Sequence, residues 1–208
     1  MAITPVVYII EGVTCSGKST LAKRCVESQA LLLPSDELTY ISDAPAWSPV
    51  YGLELAPEHT PEPYNGCSLC NRQRAILEDF ARRQEEITEL IRRDMSRSFV
   101  MDFSTLGVST FSNALREMLI STGAGNKGDR LARLAFDADK SFYRWRKELM
   151  SLGASVYLTI LLPYPCVIEQ RLKNRARPGD DALGPELIRE LCEAYRRATI
   201  KHLCYTEG

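Results

Sequence analysis

An α/β fold, with a parallel sheet covered by helices on both faces, is predicted by three observations on this 208-residue chain. Short runs rich in β-branched residues alternate with longer stretches of helical period. A glycine-bearing turn joins the first run directly to the first helix. The length suits one domain of the usual size of about 150 residues rather than two.

Composition agrees with that class. Hydrophobic residues make up 45% and charged residues 25% of the chain, which excludes a disordered sequence. Twenty-six basic against 27 acidic residues give a net charge of −1, which argues against a dedicated nucleic-acid or anionic-membrane binder. No apolar run approaches the roughly 20 residues needed to span a bilayer, and the N-terminus lacks a secretory pattern. Seven cysteines, an odd number scattered through the periodic segments, read as reduced thiols of a cytoplasmic protein (the host cytoplasm if the protein is viral), packed as small buried apolar residues. Cys67 and Cys70 have the spacing of half a zinc site. No second pair follows, and the histidines are only His59 and His202.

The elements follow in order. Residues 5–10 are a continuous apolar run suited to a central strand. Residues 19–25 have helical spacing, and a second short run, 30–33, ends at Pro34. From 41 to 63 the chain is rich in proline and loop residues, as expected of an excursion over a binding cleft. Residues 71–93 predict a strong helix with Ile76, Phe80, Ile87 and Ile91 on one side. A strand over 98–101 ends at Asp102, a helix begins near Val108, and 121–128 is a flexible connection. Helix is expected again over 129–149, strand over 155–162, and helix over 165–173. An amphipathic helix over 185–203 carries Leu187, Leu191, Tyr195 and Ala198 on one face. Strands alternating with helices imply parallel pairing through crossovers.

The chemistry is carried by Gly12, Val13, Thr14, Cys15, Ser16, Gly17, Lys18 and Ser19, which fit G-x-x-x-x-G-K-[ST] without exception. The pattern arises by chance about once in a hundred chains of this length, and here it stands between a strand and a helix, where its mechanism requires it. Glycines let successive N–H groups wrap a phosphate, and the helix N-terminus adds partial positive charge. Lys18 offers an ammonium to the β- and γ-phosphates of ATP, and the Ser19 hydroxyl is a ligand for Mg²⁺. A merely tight turn would explain the glycines but not the Lys-Ser pair. The fold is therefore expected to be a P-loop NTPase three-layer sandwich of four to five strands, forming a single domain over 1–208.

Phosphoryl transfer also needs a carboxylate near the acceptor and cations around the moving group. Ligands of parallel sheets collect at the carboxyl ends of strands. Asp36 and Glu37 follow the second apolar run, and Asp102 ends the third. Cations come from Arg171, Arg175 and Arg177, of which the first two share a helical face, in a lid segment around 171–181.

The spacing of residues 12–20, Glu37, Arg72, Asp102, Ser104 and the arginines Arg171, Arg175 and Arg177 resembles the deoxynucleoside kinases of the deoxycytidine, deoxyguanosine and insect multisubstrate type, which include some viral thymidine kinases. The resemblance implies that Glu37 takes the proton of the substrate 5′-hydroxyl and that Arg72, with Asn65 seven positions earlier, helps read the base. It implies that Arg171, Arg175 and Arg177 are lid arginines and that Asp180 contacts sugar or phosphates. Thr20 would support the loop, and Trp47, Tyr51 or Tyr64 would border the base. Three departures stand out. Phe103 replaces an arginine of the acidic-Arg-Ser motif, and Val108 stands where a base-reading aspartate is common. A fifth strand usual after the last helix has no counterpart before Gly208, so a trimmed carboxyl end is expected.

The resemblance implies ATP-dependent phosphorylation of the 5′-hydroxyl of a pyrimidine deoxynucleoside, thymidine or deoxycytidine, in nucleotide salvage. A homodimer through the helices at 71–93 and 108–119 goes with it. The alternatives are a thymidylate kinase and a catalytically degenerate nucleotide-binding module.

Overall fold

The structure, a computed structural model, describes residues 4–27, 37–41, 66–121, 125–175 and 183–205. Its elements in chain order are β1 (Val6–Gly12), α1 (Lys18–Glu27), β2 (Glu37–Ile41), α2 (Gly66–Arg93), β3 (Arg97–Asp102), α3 (Thr105–Ser121), α4 (Gly125–Ser151), β4 (Ser155–Leu161), α5 (Pro165–Arg175) and α6 (Pro185–Tyr205). The four described strands form one parallel sheet in the order β2-β3-β1-β4.

β1 lies between β3 and β4, with Ile10 opposite Asp102 on one side and Thr159 on the other. That central position is why its apolar residues run on without a polar alternate: both faces are covered. On one face Val7, Ile9, Phe99 and Met101 meet Ile87 and Ile91 of α2, Leu106 of α3 and Phe142 and Trp145 of α4. On the other, Ile10 and Val100 meet Ala22 of α1. A further cluster joins Val13 of the turn after β1 to Leu115 and Leu119 of α3, Ile168 and Leu172 of α5, and Leu187, Leu191 and Tyr195 of α6. At about 1.5–3 kcal/mol for each fully buried large apolar side chain, these three contact layers hold the turn after β1 in a fixed frame.

Several expectations shift. The second described strand is Glu37–Ile41, five residues with only partial burial where described, as an edge strand needs. The run 30–33 itself lies outside the described residues. α2 starts at Gly66 rather than 71, so Cys67 and Cys70 fall in its opening turns, and α4 starts at Gly125, inside the expected flexible connection. The apolar residues offered for a dimer, including Ile76, Phe80, Ile87 and Ile91 of α2 and Val108, Leu115 and Leu119 of α3, pack inward in the single chain. The thiols are not uniformly buried: Cys192 is, Cys15, Cys25 and Cys70 are half-buried, and Cys166 is exposed. No described helix is long and apolar enough to cross a membrane.

Candidate active site at the carboxyl end of β1

β1 delivers the chain into the turn at Gly12, and the turn's shape depends on that residue. Its φ is +146°, and a Cβ there would lie 2.6 Å from the Leu161 carbonyl oxygen and 2.9 Å from Ser16 Oγ. Any side chain would push β1 and β4 apart. Gly17 and the non-glycine Cys15 also hold positive φ, at +104° and +58°. Such backbone concentrates at sites where N–H groups are turned toward a ligand. Val13, fully buried in the core, pins the turn from below.

Two cations close round the turn, each bound by its backbone carbonyls. Lys18 Nζ donates to the Gly12 and Val13 oxygens at 2.9 and 3.1 Å. Arg171 Nη1 donates to the Cys15 and Ser16 oxygens at 3.1 and 3.0 Å. Arg175, one helical turn further along α5, shares with Arg171 the lining of a cleft of about 590 Å³ that also takes in Thr14, Gly17, Ser19, Thr20 and Arg24. The expected common face of Arg171 and Arg175 is therefore the one turned to the loop.

Beneath the loop lies a buried acid that sequence reasoning missed. Glu11 is fully enclosed, and its carboxyl accepts Ser104 Oγ–H at 2.6 Å and the Tyr195 hydroxyl at 3.4 Å. Burial pushes it up to about 7, against the opposing pull of the Ser104 bonds and the nearby Lys18 ammonium. Its signal was available: Glu11 is the one charged side chain in the first seventeen residues, closing an apolar strand. Ser104 also caps α3, its Oγ accepting the Leu106 N–H at 3.2 Å.

Asp102 is buried at the end of β3. The Tyr40 hydroxyl donates to one carboxyl oxygen at 3.4 Å, and the other has no partner among the described atoms. Ser16 Oγ in the loop is likewise buried and unpartnered. Orphaned polar atoms of this kind, beside the Ser19 hydroxyl that lines the cleft, fit a phosphate and a hard cation such as Mg²⁺.

Phe103 follows with φ +86°, rare for a bulky residue. Its ring sits 5.0 Å from that of Phe80 and has Lys18 Nζ 5.8 Å from its centroid. Space for it exists only because residue 107 is glycine, where a Cβ would come within 2.3 Å of the ring. Val108 is core, packed with Phe103, Ile76 and Phe80.

No family model and no curated protein matches the sequence. Solved structures do match. A deoxyadenosine kinase from M. mycoides, described with products dCMP and a flexible dCDP bound, superposes with a TM-score of 0.60 at 12% identity, over 95% of this chain and 85% of that one. The same enzyme with bound dATP gives 0.56 at 13% identity, over 95% and 86%. The chain has the fold of a deoxynucleoside kinase.

Within that deoxynucleoside kinase fold, a P-loop NTPase three-layer sandwich, the remaining expected residues divide. Gly12 to Thr20, Asp102, Arg171 and Arg175 gather at the carboxyl edge of the sheet. Glu37 begins the described strand β2, with its backbone paired to Arg97 at the start of β3, and the run 30–33 that it was expected to follow lies outside the described residues. Four residues of strand, about 13 Å, separate it from Ile41 at the carboxyl edge. The side chain of Arg72, and all of Asn65, Arg177, Asp180, Asp36, Trp47, Tyr51 and Tyr64, lie outside the described residues.

Proposed function

We propose that this protein is an ATP- and Mg²⁺-dependent kinase that phosphorylates the 5′-hydroxyl of a deoxynucleoside, with a pyrimidine deoxynucleoside as the preferred acceptor. The observation that carries this reading is the strained loop after β1 with Lys18, Arg171 and Arg175 drawn round it. Loop N–H groups and the N-terminus of α1 hold the phosphates of ATP. Lys18 exchanges the Gly12 and Val13 carbonyls for β- and γ-oxygens. Arg171 and Arg175 stabilise the charge that spreads over the equatorial oxygens, and Arg177 and Asp180 extend that lid by resemblance. Mg²⁺, held at the Ser19 hydroxyl, neutralises phosphate charge when bound.

The acceptor oxygen forms its bond to the γ-phosphorus as the bond to the bridging oxygen breaks, ADP departs, and the hydroxyl proton passes to a carboxylate. For that carboxylate the strand positions favour an acid beyond Ile41 over Glu37. In sequence the first is Asp43, two residues past the end of β2. Asn65 and Arg72 remain the proposed readers of the base. The structural neighbour is described with dATP in one case and with dCMP as product in another, so base preference is a matter for assay.

The test supplies ATP, Mg²⁺ and each deoxynucleoside and follows the monophosphate formed. Asp43→Asn is expected to lower kcat by at least a hundredfold with ATP binding retained, while Glu37→Gln stays near the wild-type rate. The reverse pattern restores Glu37 as the base. Turnover of thymidylate but no nucleoside makes the chain a nucleoside monophosphate kinase. Phe103, where an arginine would clamp phosphate, favours one rival: tight ATP binding with no transfer to any acceptor would make it a binding module.

A further inference from the structure

We propose that Tyr195 and Glu11 are positioning residues through which the C-terminal helix α6 holds the phosphate loop in its ATP-binding shape. The inference rests on the reading of the loop as an ATP site. The Tyr195 hydroxyl is the meeting point of three elements. At 3.4 Å it donates to the carboxyl of Glu11, the β1 residue next to Gly12, where the loop begins. Glu11 in turn accepts from the hydroxyl of Ser104, which caps α3. All three side chains are buried, Tyr195 among the most enclosed large residues of the chain.

The start of the loop is thus held at two neighbouring residues. Lys18 takes the Gly12 carbonyl, and Tyr195 takes the carboxyl of the residue before it. The two holds differ in what happens when ATP arrives. Lys18 leaves the Gly12 oxygen for phosphate, so its grip is released at the moment the loop must be most exact. Tyr195 keeps its grip, because neither it nor Glu11 lines the cleft. Burial and the facing carboxyl hold the Tyr195 phenol well above its usual range, so it remains a donor. A loop kept in its bound shape before binding loses less conformational freedom on binding.

This makes α6, joined to the site by a contact spanning 184 residues, part of the ATP-binding apparatus rather than only a cover for α3 and α5. The experiment measures ATP affinity by calorimetry, together with KM for ATP, KM for the nucleoside, kcat and thermal unfolding, on wild type, Tyr195→Phe and Glu11→Gln. Tyr195→Phe is expected to weaken ATP about tenfold, with nucleoside KM unchanged within twofold. Glu11→Gln keeps the acceptor for Ser104 but turns a donor toward Tyr195, and should weaken ATP about threefold. Should Tyr195→Phe fail to fold, the Glu11→Gln arm decides. Variants that melt earlier but keep both substrate constants would make the pair merely structural and overturn the proposal. Wild type that binds ATP yet phosphorylates no nucleoside would overturn the proposed kinase activity alone, whereas wild type that binds no ATP would overturn both.

Discussion

Glu11→Gln should gain stability relative to wild type as pH rises from 4.5 to 8, because the native carboxyl is costly to ionise. Its folded value is about 7 against 4.5 for a free glutamate, desolvation being the main cause. The sign follows from proton counting. Between pH 4.5 and 7 the native state holds a proton that the unfolded chain has lost, so stability falls as pH rises through that window and levels off above it. At about 1.4 kcal/mol per pH unit, the span amounts to about 3 kcal/mol, a large part of the roughly 5–15 kcal/mol typical of a domain. His202 opposes it. Buried against Phe142 and Tyr143, it is lowered from 6.5 to about 4, so its contribution is complete above pH 6.5 and lost as pH falls toward 4. The wild-type curve is therefore a difference of two slopes, and only the comparison with Glu11→Gln isolates one of them. Urea unfolding followed by tryptophan fluorescence from pH 4.5 to 8 gives both curves. The variant should gain about 3 kcal/mol on wild type between the two ends. A gap constant within about 0.5 kcal/mol across that range would refute the burial argument.

Three other outcomes are expected. Gly107→Ala would put a Cβ 2.3 Å from the Phe103 ring and 2.8 Å from Glu11 Oε2, and should cost about 2 kcal/mol in urea unfolding; an unchanged midpoint would mean the ring moves freely. Arg171→Ala frees the Cys15 and Ser16 carbonyls and removes a charge from the cleft, so kcat/KM for ATP should fall about a hundredfold with nucleoside KM steady. A uniform loss in both constants would point to misfolding instead. His202→Gln should flatten the acid limb of the stability curve between pH 6.5 and 4, read as melting temperatures that no longer drop over that range.

The central strands were legible because burial on both faces writes itself as unbroken apolar sequence, as in residues 6–10 and 99–101. β2 was not. As an edge strand it contains Glu37 and Thr39 between Leu38, Tyr40 and Ile41, and the more apolar stretch at 30–33 drew the expectation away. That one displacement moved Glu37 from the carboxyl edge of the sheet to its start, since a strand's two ends are chemically opposite places even though its composition is symmetric. The loop was legible residue by residue because its glycines and Lys18 each answer a separate steric or electrostatic demand. Glu11 escaped because its meaning depends on Tyr195, which sits on an amphipathic face and reads there as ordinary core. The replacement at Phe103 was visible in the sequence, but its left-handed backbone and the space left by Gly107 are tertiary facts.

The loop's carbonyls supply a reason for the way the two cations are kept. A peptide unit that turns its N–H toward a phosphate turns its oxygen the other way, so a loop built to bind an anion necessarily presents a ring of acceptors behind it. Here four of those oxygens, on Gly12, Val13, Cys15 and Ser16, are taken by Lys18 and Arg171. Lys18 is buried, Arg171 is not, and both are stationed at the site before any phosphate arrives, so ligand binding becomes an exchange of acceptors instead of the capture of two unplaced side chains. Such preorganisation is what makes charge effective in a partly dry cleft. It also explains why a phenylalanine at 103 is compatible with phosphate chemistry: the positive charge round this loop reaches it from α1 and α5, and the ring behind Lys18 confines the ammonium to the side facing the cleft.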